Sequence, residues 1–382
     1  MIDIIEKHFE GVYELYKKIV LISSESYDKK GVDEVCSVIA EFALNNKFDV
    51  EILKNKNAGN ELVLSYNADS KGPVTVFLAH MDTVHKKDSF KKMFVQDGNI
   101  VYGPGVHDCK GGIALALLTC MSLKTYGYAN QLRIVLVCDE EISMALSKEK
   151  GIQFIKDNVK DASYVFTCES GIKDKLIVGR KGSARYKVTV HGVAAHSGAN
   201  YDKGVSAIKA ACYMIPEIER ISNSEGMTFN CGMINGGKSP NIVPDLCEFI
   251  VDTRYLDMAQ MEESEKYVFS VVNSNLPEGI TTEIEVISKR APMEATEANY
   301  KLFERVREIS KKLGYEDFTP FVSGGASDAA FSSEMGIPTL CGTGIVGKNQ
   351  HASEEMADLS SLKQRSHLIA ETVLSLSEEG LE

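Results

Sequence analysis

The chain has 382 residues, 44% of them hydrophobic, and a formal charge of −12. That length allows two domains with ordinary cores, and so acidic a chain argues against a nucleic-acid or anionic-membrane partner. The opening stretch MIDIIEKHFEGVYELYKKIV mixes charge into a helical pattern unlike a secretory signal, and no run approaches the ~20 apolar residues of a membrane span.

Up to about Arg180, short β-rich runs alternate with helical stretches. Val74–Ala79 (VTVFLA), Leu132–Cys138 and Ala162–Thr167 read as strands covered on both faces, and Cys109–Gly127 is the clearest helix. This is the rhythm of an α/β domain with a largely parallel sheet. After GRKGS (Gly179–Ser183) the pattern changes. ARYKVTVH alternates as a half-exposed strand, with Tyr186, Val188 and Val190 on one face. A helix (Val205–Ile221), two strands (Met227–Ile234 and Leu246–Leu256), a second helix (Ala259–Asn273) and a last strand (Thr281–Lys289) follow. That order is βαββαβ, the split-βαβ sandwich. The α/β rhythm resumes after Ala291 with helix Ala298–Leu313, the Gly-rich SGGASDAAF, a strand at PTLCG and a closing helix from Ser360. The expected architecture is a discontinuous α/β domain, residues 1–181 and 291–382, interrupted at 182–290 by a second domain of roughly 110 residues, an ordinary domain size.

Open α/β sheets place ligands outside the carboxyl ends of their strands. There the sequence sets His80 and Asp82 (LAHMDTV), Asp139, Glu140 and Glu141 (CDEEIS), and Glu169 (FTCESG). Asp108 (GPGVHDCKGG) stands just before a helix, and His351 (GKNQHAS) lies in a late loop. Singly, each has a plain structural reading: an N-cap for Asp108, a solvated loop for the acid triplet, an exposed loop histidine for His351. Together the five fragments bring ligand-type residues into one sheet domain, and carboxylates crowded in a cleft destabilise one another unless paired. A pair of divalent cations resolves that. Two histidines with carboxylates suit zinc or a similar borderline metal better than magnesium.

Nine cysteines sit mostly inside apolar runs such as LLTC and IVLVC, with no CxxC pair. They are expected to be buried free thiols in a reducing compartment, which points to a cytoplasmic protein.

The motifs LAHMDTV, GPGVHDCKGG, DEE, CES, GVAAHSG, PNIVP, VDTRY, SGGASDAAF and the late histidine follow one another along nearly the whole chain. In that order the sequence resembles the M20 family of co-catalytic zinc metallopeptidases, most closely its glutamate carboxypeptidase-like branch. The resemblance implies a catalytic α/β domain interrupted by a ferredoxin-like lid and dimerisation domain. It implies two Zn2+ per subunit, with Co2+ or Mn2+ as substitutes. His80 and Glu169 would bind one metal, Glu141 and His351 the other, and Asp108 both. Asp82 would orient His80 through its other ring nitrogen, and the Asp108–Cys109 peptide would be cis. Glu140 matches the general base that takes a proton from metal-bound water and passes it to the leaving amine. His107 and His85 match no ligand and read as bystanders.

In the second domain the resemblance gives His196 a place in the partner subunit's active site, holding the developing oxyanion. Asn241 and Arg254 would bind a substrate carboxylate, Arg254 through its planar fork. Arg290 resembles an arginine that reads an acidic C-terminal side chain, although a hinge salt bridge is an equal reading. Gly324 and Gly325 would let substrate approach the backbone closely, or merely form a helix-start turn. Two departures stand out. EEISMALSKEKG follows the acid pair where the family often has Gly-Ser, and Ile177 replaces a small polar residue of glutamate-specific relatives.

The expected activity is cleavage of the amide bond before a C-terminal amino acid, in a short peptide or N-acyl amino acid, by a homodimer joined through the second domain. An N-acyl amino acid deacetylase, a desuccinylase or a dipeptidase would use the same centre. A non-catalytic binding protein on this fold would lack ligands or the base, and none is missing here.

Overall fold

The computed structural model of the protein describes residues 1–90 and 93–381. Four β-rich runs, Gln131–Val137, Val74–His80, Tyr164–Thr167 and Thr339–Cys341, lie side by side in parallel at the centre of an eight-stranded sheet. Every residue of Val74–His80 is buried. Phe77 and Ala79 point into one hydrophobic cluster while Val76 and Leu78 point into another, so both faces of the strand demand apolar side chains. Glu61–Tyr66 and Asp49–Leu53 extend one edge in antiparallel pairing. Lys175–Arg180 runs antiparallel to Thr339–Cys341 on the other side, with Thr319–Ser323 outermost. The sheet is therefore mixed and largely parallel.

The helix expected over Cys109–Gly127 spans Lys110–Tyr126 and is buried without a break from Lys110 to Leu123. Helices Ile2–Val20 and Leu359–Glu379 pack against it, which explains its nearly unbroken apolar surface. At its start, a Cβ on Gly112 would come within 1.8 Å of the Cys168 carbonyl oxygen. Only glycine lets this helix approach the end of the Tyr164–Thr167 strand so closely. A small second sheet, ordered Gly347–Lys348, Met356–Asp358, Ile100–Tyr102 and Val95–Asp97, joins two distant loops, 103–109 and 349–355.

By backbone proximity the chain divides into two units. One comprises Met1–Gly179, Ala295–Val322 and the chain from Ser327; the other comprises Arg180–Glu294 with Ser323–Ala326. In the second unit the strands Thr228–Gly236, Leu246–Tyr255, Gly182–His191 and Thr281–Arg290 lie in that order, each pair antiparallel. Helices Ala207–Glu219 and Met258–Asn273 complete a βαββαβ arrangement. Tyr186, Val188 and Val190 are buried in its own core with Phe249 and Val251. The first helix begins at Ala207 and not at Val205. Val205 is held in a β-bridge with Val193, and the Ser206 hydroxyl caps the helix by accepting from Lys209 N. Arg180 and Met293 exchange both backbone hydrogen bonds (2.8 and 3.0 Å), so the inserted segment leaves where it entered.

Among the described residues no helix is long and apolar enough to cross a membrane, and all nine cysteines are free.

Candidate metal centre

The site is built at strand ends. Val74–His80 ends in His80, the turn after Gln131–Val137 carries Glu140 and Glu141, and Glu169 follows Tyr164–Thr167. Asp108 precedes the buried helix through a cis peptide to Cys109. His351 sits between two strands of the small sheet, with a φ of 65° that a non-glycine residue adopts only when its surroundings fix it.

These side chains converge. His80 Nε2 lies 3.1 Å from Asp108 Oδ1, and His351 Nε2 lies 3.4 Å from Asp108 Oδ2 and 3.1 Å from Glu141 Oε2. Potential ligand atoms of Asp108, Glu141 and His351 all fall within 4.8 Å of one another, as do those of His80, Glu140 and Glu169. Asp108 thus stands between the two histidines. Glu140 groups with His80 and Glu169, and Glu141 with Asp108 and His351.

The electrostatics are those of several carboxylates and two imidazoles crowded together, most of them buried. Burial pushes the Glu141 carboxyl up to about 8, against a bond from His351. Hydrogen bonds to Asp108 and then to Glu141 push His351 up to about 10. Burial alone would raise Asp108, but bonds from His351 and His80 outweigh it and hold that carboxyl low. Glu141 Oε1 is buried and has no hydrogen-bond partner. A buried carboxylate oxygen left short, inside a set of four carboxylates and two imidazoles, fits a pair of borderline divalent cations.

The supporting shell is more extensive than the sequence suggests. His80 Nδ1 is 3.0 Å from the Asp82 backbone oxygen and 3.3 Å from its Oδ1. The Asp82 carboxylate also accepts from Glu140 N (3.1 Å), Glu141 N (3.2 Å) and Ser26 Oγ (2.6 Å). One aspartate therefore fixes a histidine and the backbone of both glutamates. Asp139 accepts from Leu146 N, Ser147 N and Ser147 Oγ, which pins the loop behind the acid pair. Lys110 is fully buried and donates to Ile19 O and Ile22 O at the end of the first helix, where a cation suits the helix dipole. Burial pulls its amine down to about 7. Sequence reasoning missed Ser26, Lys110 and the buried Glu355. The only signal was that Lys110 lies within the Asp108 motif GPGVHDCKGG.

In the second unit, the Ala195–His196 strand pairs with Ile242–Val243, and Ser197 N donates to Asn241 O, so His196 and Asn241 are neighbours. His196 Nδ1 accepts from Gly198 N and Ala199 N, which assigns its proton to the exposed Nε2. Arg254 and Arg290 both pair with Ser183, from the strands on either side of it. The Arg254 fork is bound by Asp252 at 2.7 and 3.1 Å. Gly325 accepts from the Arg180 guanidinium, and a Cβ at Gly324 would meet open space. Ile177 is buried, against Gly342.

Carboxypeptidase G2 from Pseudomonas sp. (strain RS-16) is 28% identical over 96% of this chain and 89% of its own length. Succinyl-diaminopimelate desuccinylase from Rickettsia rickettsii (strain Sheila Smith) is 26% identical, covering 90% of this chain and 94% of its own. A crystal structure of a tripeptidase from Staphylococcus aureus subsp. aureus mu50 shares the fold with a TM-score of 0.81 at 21% identity, over 96% of this chain and 98% of the other. The pattern of Peptidase family M20/M25/M40 matches residues 76–375. With that match spanning most of the chain and these histidines and carboxylates gathered as described, the protein belongs to the M20 family of peptidases and amidohydrolases.

Proposed function

We propose that this protein is a dinuclear zinc hydrolase that cleaves the amide bond before a C-terminal amino acid in a short peptide or N-acyl amino acid. The observation that carries the reading is the split environment of the adjacent glutamates. Glu141 gathers with Asp108 and His351, while Glu140 faces His80 and Glu169. His80 and Glu169 would hold one cation, Glu141 and His351 the other, and Asp108 both. The cations, zinc or in its place cobalt or manganese, supply the positive charge that acidifies a water and polarises the scissile carbonyl.

The protein's own groups do the rest. Glu140 takes the proton of the attacking water and delivers it to the leaving nitrogen. Asp82 holds the Glu140 and Glu141 backbone so that the two side chains diverge. His196 of a partner subunit, with its Nε2–H free to donate, stabilises the oxyanion; the second unit thereby serves as lid and dimerisation domain. Asn241 and Arg254 bind the substrate carboxylate, which replaces Asp252 on the arginine fork, and Arg290 extends this anion-binding row. Gly324 and Gly325 leave room for the substrate chain.

Buried Ile177 supplies no polar contact for a glutamate side chain, which keeps a desuccinylase, deacetylase or dipeptidase specificity beside the carboxypeptidase one. The nine free thiols, seven buried, Cys231 half-buried and Cys212 exposed, agree with a cytoplasmic location. The test is Glu140→Ala assayed on N-acetyl and N-succinyl amino acids, dipeptides and pteroyl-glutamates, with metal content measured in parallel. The variant is expected to keep two metals and lose nearly all turnover, at least 100-fold. Substantial remaining activity would overturn the role of Glu140. Wild-type activity that survives chelation would overturn the metal mechanism.

A further inference from the structure

Glu355 is fully buried, and no part of the reaction described above uses it. Its Oε1 accepts from His107 N at 2.8 Å and Asp108 N at 2.9 Å. Its Oε2 accepts from Gly105 N at 2.9 Å and from His85 Nε2 at 2.7 Å. A buried carboxylate with four donors is fully satisfied, so it is no spare metal ligand. Three of the donors are backbone amides of the short loop that ends in Asp108. Glu355 itself lies four residues after His351, in the loop between Gly347–Lys348 and Met356–Asp358. It is tied there by its own N to Ala352 O at 3.1 Å, and its carbonyl accepts from Gly103 N at 3.3 Å. His85, otherwise a bystander, is held edge-on against Phe90 and closes the fourth side of the carboxylate.

We propose that Glu355 is a positioning residue that sets Asp108 and His351 at the spacing a second cation requires, with His85 as its support. Asp108 and His351 are 243 positions apart in sequence, and their ring and carboxylate meet at 3.4 Å. Backbone pairing between Ile100–Tyr102 and Met356–Asp358 brings the two loops near each other but ends before either residue. The Glu355 carboxylate continues that link by bonds from the Gly105, His107 and Asp108 amides, which fix the loop in three dimensions. Bonds behind metal ligands typically govern metal affinity by about 10- to 100-fold.

This inference rests on the dinuclear reading above, and its test keeps the two apart. Cation binding is measured by calorimetry on chelator-stripped wild type, Glu355→Gln and His85→Gln, with Zn2+ as the probe. Melting curves and turnover at several zinc concentrations accompany it. Fewer than two sites in the wild type overturns the dinuclear reading and this inference with it. With two sites present, Glu355→Gln turns an amide NH2 toward backbone N–H groups. It is expected to weaken one site at least 10-fold while leaving the other nearer its wild-type affinity. Its kcat is expected to recover as zinc is raised, with KM unchanged. His85→Gln leaves the three amide bonds intact and is expected to weaken the same site by a smaller factor. If Glu355→Gln does not fold, the same selective weakening in His85→Gln carries the inference. Wild-type affinity at both sites, in Glu355→Gln or, if that variant does not fold, in His85→Gln, overturns it. A loss of kcat that zinc does not restore overturns it as well.

Discussion

Asp139, Glu140 and Glu141 follow one another in the chain, yet each carboxylate meets different neighbours. Asp139 turns back to the loop amides of Leu146 and Ser147, Glu140 faces His80 and Glu169, and Glu141 meets His351. That histidines and carboxylates gather here was expected from their places at strand ends, a helix start and a loop, while the choice of His80, Asp108, Glu141, Glu169 and His351 among them came from the family resemblance. The parts played by Asp139, Ser26 and Glu355 were not, since their partners are backbone amides or carboxylates brought from elsewhere in the chain. Glu61 is a further buried acid behind Asp139, with one carboxylate oxygen unpartnered. Burial above all, and then the charge of Asp139, push its carboxyl up to about 8. Between its ordinary value of 4.5 and about 8 the folded protein keeps a proton that the unfolded chain has lost. Stability contributed by this group is therefore present at low pH and lost as pH rises through that window, by up to about 1.4 kcal/mol per pH unit. Glu61→Gln should flatten the dependence between pH 5 and 8 and gain on the wild type toward pH 8, read from urea midpoints. An unchanged slope would remove Glu61 as its source.

Elements were legible where one force fixed them. The parallel strands announced themselves by unbroken apolar runs, and the Gly182–His191 strand by strict alternation. Helix Lys110–Tyr126 was legible as a helix, but not how near it comes to Cys168. That closeness holds two site segments together, since Asp108 lies two residues before Lys110 and Glu169 directly follows Cys168. Gly112→Ala would drive a methyl group into a backbone carbonyl that cannot swing aside. The expected cost is about 1–3 kcal/mol or more, measured by denaturant unfolding, together with weaker metal binding. A variant as stable as the wild type would show that the contact relaxes freely. The start of helix Ala207–Glu219 was misjudged by two residues, because a bridge from Val193 decides it and leaves no periodic trace.

At the scale of the molecule there are two units, each with its own core. The βαββαβ order was legible from the change of rhythm near Gly179. The grouping of Ser323–Ala326 with the second unit was not, for four residues carry no pattern. All five proposed ligands belong to the first unit. A cation that binds only the folded state adds stability by mass action, about 4 kcal/mol at a thousandfold excess over Kd. Scanning calorimetry should therefore show two transitions, with chelation lowering the first unit's and leaving the other in place. A single transition, or two that move together, would argue that the units unfold as one.

The double hydrogen bond between Arg180 and Met293 has a meaning for heredity as well as for folding. Residues that pair in this way have Cα atoms only about 5.5 Å apart. The codons between them thus form a cassette whose ends are already neighbours. Recombination can lengthen, trade or delete that cassette without rerouting the rest of the chain. A change of sequence confined to that cassette would alter the second unit and leave all five proposed ligands, which lie outside it, as they are.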